Sequence, residues 1–132
     1  MRPTQVHEDG FLWIHWDETK RIISIDWKES TSAMTDDEFK TELTLFAQHV
    51  EQKKAPRVLI DVSAFRARMS DDVNQWRVKN IIPRYNAAGV QRFAFLFPPH
   101  SQVTPGDQSS EGERFLTHEF NNHEQAVAWL TG

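Results

Sequence analysis

Cysteine is absent from this chain of 132 residues. Its absence excludes a disulfide framework, a thiolate nucleophile and a cysteine-ligated metal. Long apolar runs are also absent, since none approaches the ~20 residues of a membrane-spanning helix. The first ten residues are polar and contain no apolar segment typical of a secretory signal. We therefore expect a cytoplasmic protein with no membrane span.

Glycine is scarce, with five residues in the chain, and no glycine-rich phosphate loop is present. Acidic residues are missing from the whole stretch between Val73 and Gly106, which carries only basic charges: Arg77, Lys79, Arg84 and Arg92. This stretch is either an ordinary solvated helix face or a site for an anionic ligand or acidic partner. The net charge of −4 argues against nucleic-acid binding.

Aromatic residues are plentiful, with five tryptophans and nine phenylalanines. They bury a large area per residue, so they predict a dense core. The length predicts a single domain over residues 1–132, of which residues 1–10 are expected to be flexible.

Two β-branched and aromatic runs at the start of the chain, residues 11–16 and 21–27, predict an antiparallel hairpin. Thr35 and Glu38 form a capping-box signature, and the apolar spacing after them predicts a helix over residues 36–53. The apolar run of residues 57–62 comes next, and it predicts the central strand of a parallel sheet.

A second helix is predicted over residues 71–88, with a break near residues 80–82 because Pro83 removes a backbone hydrogen bond. Strands at residues 92–97 and 115–120 and a closing helix after Asn121 or Asn122 complete the chain. Between the last two strands, residues 98–112 are rich in proline and serine and are interpreted as a mobile loop. The predicted fold is α/β: a mixed sheet in which an N-terminal antiparallel hairpin precedes parallel βαβ units, flanked by helices.

Several of these segments resemble one family of small bacterial proteins. They are the strand at 57–62 with Phe65 after it, the helix from Trp76 to Arg84, the strand at 90–95 and the ending at 120–130. This pattern is similar to that of the SpoIIAA-like proteins, also called STAS-like or SEC14-like, and it covers most of the chain from Phe11 onward. The resemblance implies a mixed sheet flanked by helices. It also implies a regulatory or binding module, since the wider STAS class consists of such modules and SEC14 relatives bind lipids.

The same resemblance raises the question of phosphorylation. In STAS antagonists of anti-sigma factors, a serine near the start of the helix after the central strand is phosphorylated. Ser70 stands at about that place and Ser63 stands earlier, at the end of the strand. The family's Asp-x-Ser-Gly is replaced by Asp61-Val62-Ser63-Ala64, and Asp71 and Asp72 would repel a phosphate beside Ser70. The alternative interpretation of Ser70 is a helix N-cap, worth ~1 kcal/mol.

Metal and catalytic motifs are weak. His118 and His123 are five residues apart across a strand–helix boundary, whereas a zincin helix needs histidines four apart. We therefore predict no metal site and no cofactor. Asp61 ends the central strand, where catalytic acids often lie, but a carboxylate there more commonly accepts hydrogen bonds from loop amides.

A binding surface is the remaining candidate, at the C-terminal edge of the sheet. Its predicted residues are Arg66, Arg68, Ser70, Trp76, Arg77 and Arg84. The predicted function is a non-enzymatic module that binds a partner protein or a small amphipathic anion there. The alternative is an enzyme or a lipid-binding or transfer protein with a pocket beneath the 98–112 loop. A homodimer is one form of partner, and exposure of Trp13, Trp16 or Trp27 would indicate it.

Overall fold

Six strands and four α-helices make up the fold in the computed structural model, which describes residues 3–132. A short 3-10 helix, Glu29–Ala33, lies between the third strand and the first helix. The strands are β1 (Thr4–Glu8), β2 (Leu12–Asp17), β3 (Ile22–Trp27), β4 (Arg57–Asp61), β5 (Arg92–Leu96) and β6 (Leu116–Phe120). The helices are α1 (Asp36–Lys53), α2 (Asp71–Asn80), α3 (Ile82–Ala88) and α4 (His123–Thr131).

The strands form one mixed sheet in the order β1-β2-β3-β4-β5-β6. The pairs β1–β2 and β2–β3 are antiparallel, and the three later pairs are parallel. The predicted α/β class, with a hairpin followed by parallel strands, is confirmed. Asp26, Asp61 and Leu96 lie in one row across the parallel strands, so the strands after β2 share a C-terminal edge.

Helices lie on both faces of the sheet. On one face, α1, α2 and α3 enclose the main core, whose fully buried members include Ile25, Phe46 and Tyr85. On the other face, α4 packs over β4, β5 and β6 around Ala94, Ala126 and other small or aliphatic side chains. In the described part of the chain, no helix combines the length and apolarity needed to cross a bilayer.

Helix α1 begins as its sequence predicts. The Thr35 hydroxyl accepts a hydrogen bond from the Glu38 amide at 3.1 Å, and the Glu38 carboxylate accepts one from the Thr35 amide at 2.9 Å. This reciprocal pair satisfies two amides that the first turn would otherwise leave free. The helix ends where Lys54 adopts a left-handed conformation (φ 49°).

The predicted break in the second helical segment is also confirmed. Helix α2 ends at Asn80 and α3 begins at Ile82, with Pro83 in the first turn of α3. Proline is tolerated there because the first-turn amides have no intrahelical partner. The two-helix arrangement turns the chain toward β5.

The N-terminal region differs from its prediction. Residues 4–8 form β1, a strand that the sequence did not predict, which pairs with β2 through a bulge near Gln5 and His7 and so belongs to the sheet. Met1 and Arg2 lie outside the described residues. The sequence does not predict this strand, because its side chains are exposed or half-buried and the apolar alternation typical of a strand is therefore missing.

The segment between β5 and β6 contains no helix or strand, as its composition predicts. It is nevertheless tied to the sheet by backbone hydrogen bonds, from the Phe97 amide to Phe120 O (2.7 Å) and from the Gln108 amide to Thr117 O (2.6 Å). The Asn121 side chain donates to Ser101 O at 2.8 Å. Part of this segment therefore covers the outer edge of β6.

The tryptophans of the hairpin do not form an exposed apolar face. Trp16 and Trp27 are buried at 4% and 5% exposure, and Trp13 is half-buried beneath the Lys28 ammonium, 4.3 Å from its ring centroid. Among the described residues, Leu116 is the large apolar side chain that is exposed. The sign expected of a self-complementary apolar interface is therefore not seen on the hairpin.

Candidate functional site

A cavity of about 320 Å³ lies between α1, α2 and the C-terminal ends of β3, β4 and β5. We call it the aromatic cavity. Its lining residues are Ile25, Trp27, Phe39, Leu43, Ile60, Val62, Phe65, Asn74, Arg77, Tyr85, Phe93, Phe95 and Ser110. Both its size and its position, at the carboxyl ends of parallel strands, are typical of ligand sites in α/β proteins.

Three aromatic rings form one wall of the aromatic cavity. The Trp27 ring stacks on Phe39 with 5.6 Å between centroids, and Phe65 meets both rings edge-on at 5.1 and 5.9 Å. Each ring comes from a different element: the end of β3, the first half of α1 and the loop after β4. Mutual packing therefore fixes the wall before any ligand enters.

The polar part of the lining consists of Asn74, Arg77 and Ser110. The Arg77 guanidinium lies 5.8 Å from the Phe93 ring centroid and 3.7 Å from Glu113 Oε2. That separation is long for a hydrogen bond, so the ion pair positions the guanidinium without saturating its five N–H donors. The arrangement places one cation beside an apolar space.

Glu113 is held by its own network. Its Oε1 accepts hydrogen bonds from the Ser110 amide (2.9 Å) and the Thr117 hydroxyl (2.7 Å), and its side chain is 1% exposed. The carboxylate therefore anchors the 97–115 segment beside α2. Through this anchor, the segment supplies Ser110 to the lining.

The titratable groups in the lining are Arg77 and Tyr85. Burial raises the pKa of Tyr85 to about 12, so this phenol stays protonated at physiological pH. General acid–base chemistry needs a group whose pKa lies near the working pH. Tyr85 therefore does not supply a general acid or base to the aromatic cavity near neutral pH.

A second, shallower cavity of about 530 Å³ adjoins the first, and we call it the outer hollow. It shares Val62, Phe65 and Phe95 with the aromatic cavity and adds Arg66 and Glu119 among its other lining residues. Arg66 is exposed, and its guanidinium donates to Ser63 O at 3.2 Å. The outer hollow thus places a second cation on the solvent side of the aromatic wall.

Of the six residues predicted from the sequence, Arg66 and Arg77 lie in the linings of these two adjacent spaces. Arg68 is exposed on the loop before α2 and lines neither space. Trp76 is half-buried against the main core, with the Lys40 ammonium 5.7 Å from its ring centroid.

The last two predicted residues contact acids elsewhere. Arg84 makes a two-pronged ion pair with Glu51 on α1, at 2.9 and 2.5 Å. Ser70 occupies the N-cap position of α2, but its hydroxyl donates to Asp36 Oδ2 at 2.7 Å and does not cap the helix. The interpretation of Ser70 as a side-chain N-cap is therefore corrected: the hydroxyl joins the start of α2 to the start of α1.

Asp61 and Ser63 form a local turn. Asp61 Oδ1 accepts hydrogen bonds from the Ser63 amide at 2.9 Å and the Ser63 hydroxyl at 2.5 Å. This is the hydrogen bonding to loop groups that the sequence favoured for Asp61. His118 stacks on Trp129 at 4.2 Å, and residues 3–132 contain no group of three or more His, Asp or Glu placed to hold a metal ion.

A separate titratable cluster lies on the α4 side of the sheet, at a cavity of about 280 Å³. His15 Nδ1 is 3.1 Å from Asp26 Oδ2, and Asp61 and His123 line the same cavity. Burial, and then the charge of Asp61, raises the pKa of Asp26. The sheet separates this cluster from the aromatic cavity.

Sequence reasoning did not single out the residues that shape the aromatic cavity. From the sequence, Trp27 was considered only as an indicator of a dimer interface and Phe39 only as part of the apolar spacing of the first helix, and no role was predicted for Asn74 or Ser110. The cavity could have been located from the positions of Trp27 and Val62 at the ends of adjacent strands, because parallel strands bring their carboxyl ends together.

Comparisons of the chain with models of known protein families, with curated proteins and with solved structures find no match in any of the three. The geometry of the cavities and their linings is therefore the guide to function.

Proposed function

We propose that this chain is a non-enzymatic binding module of the STAS-like or SEC14-like type that takes a small amphipathic anion at the C-terminal edge of its sheet. The observation that carries the proposal is the aromatic cavity with Arg77 in its lining. The apolar part of the ligand packs against the wall of Trp27, Phe39 and Phe65. Its anionic group faces Arg77 and is assisted by Asn74 and Ser110.

The cavity volume sets the size of the ligand. Water occupies about 30 Å³ in the liquid, so a cavity of about 320 Å³ holds about ten non-hydrogen atoms. Octanoate has ten such atoms and combines an apolar chain with a carboxylate, which suits arginine. It is a suitable probe, and n-octanol is its neutral counterpart.

The composition of the lining supports binding over catalysis. Its one phenol, Tyr85, has a pKa that burial raises to about 12, so it stays protonated near neutral pH. A lipid-binding or transfer role, which was the alternative drawn from the sequence, uses the same cavity and differs only in the fate of the ligand. An anionic side chain of a partner protein entering through the outer hollow is the other form that this proposal covers.

The test is calorimetric titration of octanoate into wild type and the double variant Arg77→Gln/Glu113→Gln, which removes both members of the ion pair and leaves no buried charge without a partner. We expect saturable 1:1 binding to wild type, weakened about ten- to a hundredfold in the double variant, since a hydrogen bond to a charged group is worth about 1.5–3 kcal/mol. The matched control is Arg84→Gln/Glu51→Gln, which removes an ion pair on the neighbouring helix and should leave binding unchanged.

Two results would contradict the proposal. One is the absence of saturable binding by octanoate. The other is equal affinity for octanoate and n-octanol, which would show that Arg77 does not contact the anionic group of the ligand. Native mass spectrometry of protein purified from its host then reports which small molecule or partner copy is retained.

A further inference from the structure

Aromatic rings line the aromatic cavity on two sides. The wall that contains Trp27 is one of them. A second wall consists of Tyr85, Phe93 and Phe95, with 5.7 Å between the ring centroids of Tyr85 and Phe93 and 5.1 Å between those of Phe93 and Phe95. Three lining residues on each side are therefore aromatic, so a ligand between the walls meets mainly the faces and edges of rings.

The register of the sheet separates the two walls. Ile25, Ile60 and Phe95 lie in one row across β3, β4 and β5. Neighbouring strands are about 4.8 Å apart, so the strand that carries Trp27 and the strand of the second wall are about 10 Å apart. Aromatic pairs prefer about 4.5–7 Å between ring centroids. A space of this width therefore takes one further ring in contact with both walls.

Both walls are accessible to a ligand. Phe39, Phe65 and Phe95 are only half-buried, so each ring keeps part of its surface open. Asn74 and Ser110 are exposed, which opens the polar end of the lining to solvent.

The cation of the lining lies beside the second wall. The Arg77 guanidinium is 5.8 Å from the ring centroid of Phe93. A carboxylate attached to a ring between the walls therefore faces this guanidinium, and arginine binds carboxylates well because its N–H donors match both oxygens.

We propose that the ligand of the aromatic cavity is a small aromatic carboxylate, with its ring between the two walls and its carboxylate at Arg77. This inference rests on the proposed function and narrows the ligand from amphipathic anions in general to one chemical class. Phenylacetate represents that class, because it has ten non-hydrogen atoms, as octanoate does.

Cyclohexylacetate separates ring recognition from simple apolarity. It has the same connectivity, charge and number of non-hydrogen atoms as phenylacetate, but its ring is saturated, thicker and more apolar. A cavity that selects for apolarity alone would bind it at least as tightly as phenylacetate. Contacts between aromatic rings are worth about 0.5–1.5 kcal/mol beyond the area they bury, which is about two- to tenfold in affinity.

The experiment is calorimetric titration of sodium phenylacetate, cyclohexylacetate and octanoate into the full chain. For wild type we expect 1:1 binding of phenylacetate that is about two- to tenfold tighter than that of cyclohexylacetate. Phe39→Leu replaces one ring of the first wall by an aliphatic side chain, so the ratio of the two affinities should fall. Phe65→Leu, in the loop after β4, is a second variant and should act in the same direction.

The matched control is Phe120→Leu, which replaces another half-buried phenylalanine, packed on the opposite face of the sheet, and should keep the wild-type ratio. Circular dichroism shows whether each variant retains the fold.

The outcomes distinguish this inference from the proposed function. Saturable octanoate binding with cyclohexylacetate bound as tightly as phenylacetate would overturn the aromatic class and leave the proposed function standing. An unchanged ratio in both Phe39→Leu and Phe65→Leu would also overturn it, because the preference would then not come from the first wall. No saturable binding of any of the three anions would overturn the proposed function and this inference together.

Discussion

At the scale of single residues, Glu42 makes the stability of the fold depend on pH in an uncommon direction. Its pKa is raised from 4.5 to about 8 in the folded state, chiefly by burial. Between these values the folded chain holds a proton that the unfolded chain has lost, so the free energy of unfolding falls as pH rises. Paired acids such as Glu51, whose pKa the Arg84 hydrogen bond lowers, act in the opposite sense and only at acidic pH.

The first prediction rests on this sign. In denaturant unfolding, the stability of wild type should decrease between pH 6.5 and pH 8. Burial lowers the pKa of His49, so the contribution of His49 to pH dependence lies below this window. Glu42→Gln keeps the shape and has no proton to lose, so its stability should be flatter across that window. Parallel curves for the two proteins would contradict the assignment.

Thr31 is a second residue whose role is local and testable. It is fully buried, its hydroxyl donates to Lys28 O at 2.8 Å and it accepts a hydrogen bond from the Arg66 amide at 2.8 Å. It therefore ties the 3-10 helix to the loop that carries Phe65 and Arg66.

The second prediction concerns this tie. Thr31→Val keeps the volume and leaves the Arg66 amide without its partner, which should cost about 1–3 kcal/mol of unfolding free energy. Thr31→Ser keeps the hydroxyl and should cost less. Faster amide hydrogen exchange at Arg66 in the valine variant alone is the expected signature, and unchanged exchange there would count against the role.

At the scale of elements, α1 lines two separate spaces: the aromatic cavity, and an acidic hollow of about 350 Å³ between its first turns and the β1–β2 turn. Phe39 and Leu43 line the aromatic cavity, whereas Glu38 and Glu42 line the acidic hollow. The first turn of the helix is therefore a structural determinant of both, and its capping box fixes where the helix begins.

The third prediction addresses that cap. Thr35→Ala removes the hydroxyl that accepts from the Glu38 amide, and it should cost about 1 kcal/mol in thermal or denaturant unfolding. Thr35→Ser keeps the acceptor and should remain close to wild type. An alanine variant as stable as the serine variant would show that the box contributes nothing measurable.

The elements also show what a sequence can and cannot predict. Helix α1 and β3 were predictable because apolar periodicity and capping residues are local signals. The break before α3 was predictable because Pro83 has no backbone N–H to donate within a helix. Strand β1 was not predictable, because its pairing with β2 needs backbone hydrogen bonds and little side-chain burial. The hydrogen bonding of Asp61 to the turn at Ser63 was predicted, since an aspartate side chain commonly accepts hydrogen bonds from amides of the loop that follows it.

At the scale of the whole molecule, the candidate site depends on contacts between distant parts of the chain. The Trp27, Phe39 and Phe65 wall joins three elements, and Arg77 meets Glu113 across 36 positions of sequence. The basic stretch from Val73 to Gly106 drew attention to Arg77, which lies in the lining of the aromatic cavity, but the same reasoning grouped it with Arg84, which pairs with Glu51. Sequence spacing gives no information on which arginine faces a cavity.

The fourth prediction tests whether the aromatic cavity is the site of ligand binding. A ligand that binds only the folded state stabilises it by about 2.7 kcal/mol at a hundred times its Kd. For a domain of this size, that corresponds to a rise in Tm on the order of 10 °C. Octanoate should produce this rise in wild type, measured by scanning calorimetry.

A cavity-filling variant separates this effect from general surfactant action. Leu43→Phe enlarges a buried side chain in the lining by three carbon atoms, so it takes part of the space that the apolar chain of octanoate would need. Its Tm without ligand should be close to that of wild type, because the cavity accommodates the added ring atoms, and octanoate should raise its Tm less than that of wild type. Val73→Ile, which enlarges another buried side chain outside the lining, is the control and should keep the full response. An octanoate response as large in Leu43→Phe as in wild type would place the ligand elsewhere, because the cavity with the added ring carbons is too small for all ten non-hydrogen atoms of octanoate.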